Sequence, residues 1–260
     1  MRILPSFRVP LGVLMLSSLC AAPLMGQEKE RKPDRLLRIL PVGEAPPYVE
    51  KIVDGVRIEQ DAPEGSIPPR RVVQMTKEGQ ERGNPVRLQL DRLSAPVAVS
   101  PGTIPLFDAG AGGAGKPWHS VKVPKTTHSL AVLWRDPAKK KWSDAKSITL
   151  IDDVRSFPAG RVRFVNVSPY SVGISYKGEK SSLGPGKILM KTQTKPEELK
   201  VLLKTKSGKW LKVFDSQLNQ RAGERTNVII YKADGNKPRL PAKVRLMRER
   251  AKLPAPPRNR

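Results

Sequence analysis

The sequence predicts an all-β protein of two tandem small antiparallel β-sandwich domains, on three observations. Runs of alternating apolar and polar residues are short and are separated at sandwich-like intervals by turn-forming residues. The stretch Arg161–Lys177, RVRFVNVSPYSVGISYK, reads as two short strands around a polar bend. A degraded counterpart of it lies near Pro85–Ser100, which suggests an internal duplication.

Each element follows from local chemistry. Val162, Phe164 and Val165 are strand formers beside Arg161 and Arg163, whereas Asn166, Ser168 and Pro169 break the strand. Val172, Ile174 and Tyr176 then alternate with small residues as the second arm of a hairpin, and Lys177-Gly178-Glu179 is a turn leading to another short segment. Upstream, strands are predicted at 48–52, 56–59 (around an Asp54-Gly55 turn), 71–75, 86–90, 97–99 and 104–107. Two more, at 118–123 and 129–134, suggest a hairpin, and another follows at 148–151. Downstream they fall at 187–190, 199–204, 209–214, 226–231 and 244–247, with one helical turn expected at Thr194–Leu199.

The domain plan is a signal peptide over 1–26, a charged leader over 27–46 and a first β-sandwich over 47–154. A second β-sandwich over 155–247 and a basic disordered tail over 248–260 complete it. The first segment joins Arg2 and Arg8 to an apolar run too short for a comfortable membrane span. The single cysteine, Cys20, falls inside it: removal of the signal leaves no thiol, while the alternative reading makes Cys20 a lipid anchor. Export places the protein in the periplasm, at the cell surface or outside the cell.

Two paired segments carry the repeat. NPVRLQLDRLSAPVAVS (84–100) aligns with GRVRFVNVSPYSVGIS (160–175), and LAVLWRDPAKKKW (130–142) with LKVLLKTKSGKW (199–210). This alignment makes Trp142 equivalent to Trp210, so both rings, with Leu130, Val132 and Leu202, are expected to be structural.

The run VRFVNVSP, followed by an alternating strand and the turn Leu183-Gly184-Pro185-Gly186, resembles the opening of uncharacterised extracellular bacterial β-sandwich domains. That resemblance covers roughly thirty residues. It implies an immunoglobulin-like sandwich and an envelope location, and it implies no catalytic residues.

Chemical motifs are sparse. GAGGAGKP (110–117) matches two phosphate-loop patterns, but Pro117 replaces the magnesium-binding hydroxyl and a strand, not a helix, is predicted next. His119 and His128 lack metal-site spacing, Asp152-Asp153 reads as a charged interdomain turn, and Glu197-Glu198 as helix-start charge. No cofactor follows from these residues.

Charge is the main functional signal. The chain carries a net +24, of which residues 155–231 hold +10 and residues 232–260 hold +8, against +3 for residues 47–154. A field that asymmetric concentrates polyanions around the second half. The expected contacts are Lys243, Arg245, Arg248, Arg250, Lys252, Arg258 and Arg260. Together these features imply a non-catalytic binding or structural module contacting an anionic envelope polymer or a protein partner. Nucleic acid binding by the same surface, with tryptophans as stacking platforms, is the alternative, and an enzyme with an unrecognised site is a further one.

Overall fold

Arg35–Val42 (β1), placed by sequence in a charged leader, is a central strand buried on both faces. The computed structural model describes residues 35–251 except 48, 76–80, 112–115, 137–138, 140, 206 and 235–237. The signal-peptide expectation and the tail beyond Ala251 lie outside the described residues. Among those described, the regular elements are strands apart from two short 3-10 turns, Ala109–Ala111 and Trp142–Asp144. No helix among them is long and apolar enough to cross a membrane.

In the first half, β1 pairs antiparallel with Val97–Val99 (β6) and parallel with His128–Trp134 (β9), which carries Lys146–Ile151 (β10) on its outer edge. The facing sheet has the order β5-β4-β7-β8, built from Arg71–Met75 (β4), Glu81–Arg87 (β5), Gly102–Asp108 (β7) and His119–Val123 (β8). A separate hairpin, Glu50–Val53 (β2) with Val56–Glu59 (β3), turns at Asp54-Gly55, both at positive φ as a two-residue primed turn requires.

The second half repeats the pattern. Arg161–Asn166 (β11) pairs antiparallel with Ile188–Thr192 (β14) and parallel with Glu224–Lys232 (β17), which carries Ala242–Arg250 (β18). Its facing sheet runs β13-β12-β15-β16, from Val172–Tyr176 (β12), Glu179–Leu183 (β13), Glu197–Lys204 (β15) and Trp210–Leu218 (β16). Every pairing in one half has a counterpart in the other, β1 with β11, β9 with β17 and β10 with β18, while β2–β3 has none.

Three apolar clusters stack these sheets in four layers. Leu37, Ile39, Val72, Leu106 and Trp142 fill the first half, and Val162, Phe164, Tyr176, Leu199 and Val228 fill the second. Leu40, Val42, Leu130, Val132, Val165, Ile229 and Tyr231 form a third cluster that packs the two central sheets against each other. Strands buried on both faces need apolar runs in place of alternation, which is the pattern of β1, β9 and β17.

Several expectations are corrected. The sheets are not purely antiparallel, because β1∥β9 and β11∥β17 join strands separated by an excursion through the opposite sheet. β11 and β12 do not form a hairpin but lie in different sheets, as do β8 and β9. The helical turn at 194–199 is absent, since β15 begins at Glu197. Residues 248–250, placed by sequence in a disordered tail, belong to β18, which runs to Arg250. The repeat itself is out of register: β11 corresponds to β1, not to 84–100, and β9 corresponds to β17, not to 199–204.

Candidate binding site

The corrected register aligns Arg38 with Arg163, because Leu37 and Ile39 face one core as Val162 and Phe164 face the other. The same register sets Asp152, whose amide bonds His128 O beyond the end of β10, against Glu249 of β18. These four residues meet where the central sheets face each other. Arg38 donates to both Glu249, at 2.5 and 2.9 Å, and Asp152. Arg163 Nη2 donates to Asp152 Oδ1 at 2.9 Å and its Nε to Asn227 Oδ1 at 2.8 Å. Arg225 adds a third guanidinium, 3.3 Å from Asp152 and 3.1 Å from Glu249, donating also to the carbonyls of Asp152 and Phe157. Arg163 and Arg225 both lie over the Phe157 ring, at 4.1 and 4.8 Å from its centroid.

Asp152 is 0 % exposed, so its charge is tolerable only because these donors replace water. Burial lowers the Arg38 pKa, but Glu249 and Asp152 outweigh it and hold the guanidinium above its ordinary value. For Arg163 burial wins over the attraction of Asp152, and its pKa is lowered. With every acid saturated by arginine, the cluster has no free base or nucleophile and serves as a polar lock between the halves. From sequence Asp152 is only a charged turn; the signal for the cluster is Arg38 and Arg163, each flanked on both sides by apolar residues.

The predicted basic contacts divide. Lys243 pairs with Glu44, and Arg245 lies 3.9 Å from Asp91 and donates to its carbonyl, so both tie β18 to the first half. Arg248 donates to Asn219 O at 3.0 Å, and Arg250 is exposed. Lys252, Arg258 and Arg260 lie outside the described residues.

Another surface gathers cations. On β12 the inward residues are Val172, Ile174 and Tyr176, which leaves Gly173 and Ser175 facing solvent. Cross-strand register sets Ser182 and Leu202 beside Gly173, Lys180 and Lys200 beside Ser175, Lys212 beside Leu202, and Trp210 beside Lys204. Lys200 bonds Glu198 and Lys212 bonds Asp215, each at 2.7 Å, while Lys180 and Lys204 have no ion pair among the described residues.

Trp210, expected to be structural in a core or in hairpin packing, is 50 % exposed, and Leu202 is half-buried on the solvent face. Leu130, Val132 and Trp142 are buried as expected. A Cβ at Gly173 would sit 3.0 Å from Trp210 Cζ3 and 3.4 Å from Cη2. Glycine is therefore what lets the indole lie on the sheet. The ring walls a cleft of about 380 Å³ with Gly173, Ser175, Lys180, Ser182 and Leu202. Trp142 is not its counterpart but lies in a 3-10 turn of the first half.

The remaining motifs lie on strands and short turns among the described residues. The glycine-rich segment passes from a short 3-10 turn, through residues outside the described set, to strand β8, without the helix that a phosphate loop needs. His119 bonds Ser147 at 2.9 Å and His128 bonds Thr127 at 3.1 Å, in different sheets. Among the described residues, no group of three or more His, Cys, Asp or Glu is placed to hold a metal ion. Neither a comparison with protein-family models nor one with curated proteins finds a match to this chain.

Proposed function

We propose that the chain is an exported, non-catalytic binding module of two tandem immunoglobulin-like β-sandwich domains. Its basic second half contacts an anionic polymer or protein partner of the bacterial envelope. The repeated strand pairings support the tandem reading, and the apolar run at 9–19 after Arg8 supports export.

One observation carries the binding reading. Lys180, Lys200, Lys204 and Lys212 project from one solvent face of the outermost sheet, with only Glu198 and Asp215 paired among them. Cations spaced along strands match the repeating charge of a polyanion and release its counterions on contact, so affinity falls steeply with salt. The test is elution from a sulfated-polysaccharide column over a salt series. The quadruple variant K180Q/K200Q/K204Q/K212Q is expected to elute at clearly lower salt than the parent, with an unchanged melting temperature. Equal elution salt for both proteins counts against this face.

Nucleic acid binding is the second reading, favoured by one feature: half-exposed Trp210 stands among lysines, the combination of a stacking platform and a cationic groove. Tighter retention by single-stranded oligothymidylate than by the polysaccharide, at equal charge density, is the outcome that selects it.

A further inference from the structure

From the cleft beside Trp210 we infer the ligand unit: a pyranose ring bearing a carboxylate, as in a polyuronate chain. This rests on the anionic-polymer reading above and names the chemistry at its centre. Three features of the cleft match three features of such a sugar.

The first is the platform. The indole lies against Gly173, where a Cβ would come within 3.0 Å, and the residue keeps half of its surface in solvent. An immobilised aromatic face, electron-rich at its centre, suits the weakly positive C–H face of a sugar ring. Because the ring already rests on the sheet, little conformational entropy is lost when a ligand stacks on it.

The second is the charge. Lys180 lines the cleft and has no ion pair among the described residues, so its ammonium is free to meet a carboxylate. Its flexible stem and point charge fit a carboxylate whose position varies from one sugar unit to the next. The third is the hydroxyl lining. Ser175 and Ser182 contribute groups that both donate and accept, matching vicinal sugar hydroxyls. The cleft lining contains no Arg, Asn, Gln or carboxylate of the kind that reads base edges. Its volume of about 380 Å³ falls in the range of small-ligand pockets. Leu202 completes the apolar floor between Gly173 and Lys212.

The test is titration calorimetry of the full chain with trigalacturonate and with the neutral trisaccharide of the same linkage. The parent is expected to prefer the acidic trisaccharide, and Trp210→Leu and Lys180→Gln are each expected to weaken it by about tenfold. Melting temperatures report whether each variant is folded, and Lys180→Gln provides a second route if loss of the indole disturbs Gly173. Unchanged trigalacturonate affinity in folded Trp210→Leu overturns the inference, as does equal affinity for the neutral sugar. Retention on the sulfated column without any trigalacturonate binding overturns the inference alone and leaves the polymer reading standing. Absence of both overturns both. Oligothymidylate binding that exceeds trigalacturonate binding and is lost in Trp210→Leu assigns the platform to bases and overturns the inference.

Discussion

Asp152→Ala is expected to lower the unfolding free energy by about 3–5 kcal/mol, the usual effect of removing one member of a buried ion cluster. The carboxylate is fully buried and pairs with Arg38, Arg163 and Arg225 at once. Its loss leaves three desolvated guanidiniums facing Glu249 alone, inside the contact between the central sheets. Water entry or displacement of an arginine relieves this only by loosening that contact. Urea unfolding monitored by circular dichroism measures the effect. The control is Asp144→Ala, which removes an exposed pair with Lys139 and is expected to change stability by less than about 1 kcal/mol. Similar values for both variants contradict the lock.

Asn166→Ala is expected to cost about 2–4 kcal/mol, because several buried backbone groups lose their partner together. Asn166 Nδ2 donates to Tyr170 O at 2.7 Å and Leu183 O at 2.9 Å, while its Oδ1 accepts from Ser168 N at 3.1 Å and Ser168 Oγ at 2.6 Å. This one side chain fixes the bend at which the chain leaves β11 in one sheet and enters β12 in the other. Asn166→Asp keeps the acceptor and removes the two donated bonds, so it is expected to lose stability as well. Equilibrium unfolding of both variants checks this, and near-parental stability for Asn166→Ala means that the bend is held by the neighbouring strands alone.

Strand positions were legible where β-formers run between turn residues. Residues 172–176 alternate cleanly and form β12, and 71–75 and 56–59 match β4 and β3 to the residue. Strand partners were not legible, because pairing is non-local: β8 and β9 adjoin in sequence yet lie in opposite sheets. β1 was read as part of a charged leader because Arg38 and Pro41 interrupt its apolar run, whereas β9, equally buried on both faces, has an unbroken run and was predicted. The paired segments were misaligned, since valine-rich alternation recurs in any strand, whereas the residues that fix the register of the repeated strand pairings are an arginine and an acid per half. The structural role expected of Trp210, in a core or in hairpin packing, rested on that misalignment. The clue to its true place was Gly173, an interruption in a strand that marks close approach by another group.

On the proposed function, the outermost sheet of the second half is the polyanion-binding face. Lysine acetylation footprinting by mass spectrometry, with and without polygalacturonate at low salt, tests it residue by residue. Protection is expected at Lys180, Lys204 and Lys212, whereas Lys122 and Lys125, exposed in the first half, are expected to react equally in both conditions. Protection spread evenly over the lysines of both halves, or confined to Lys122 and Lys125, contradicts the account.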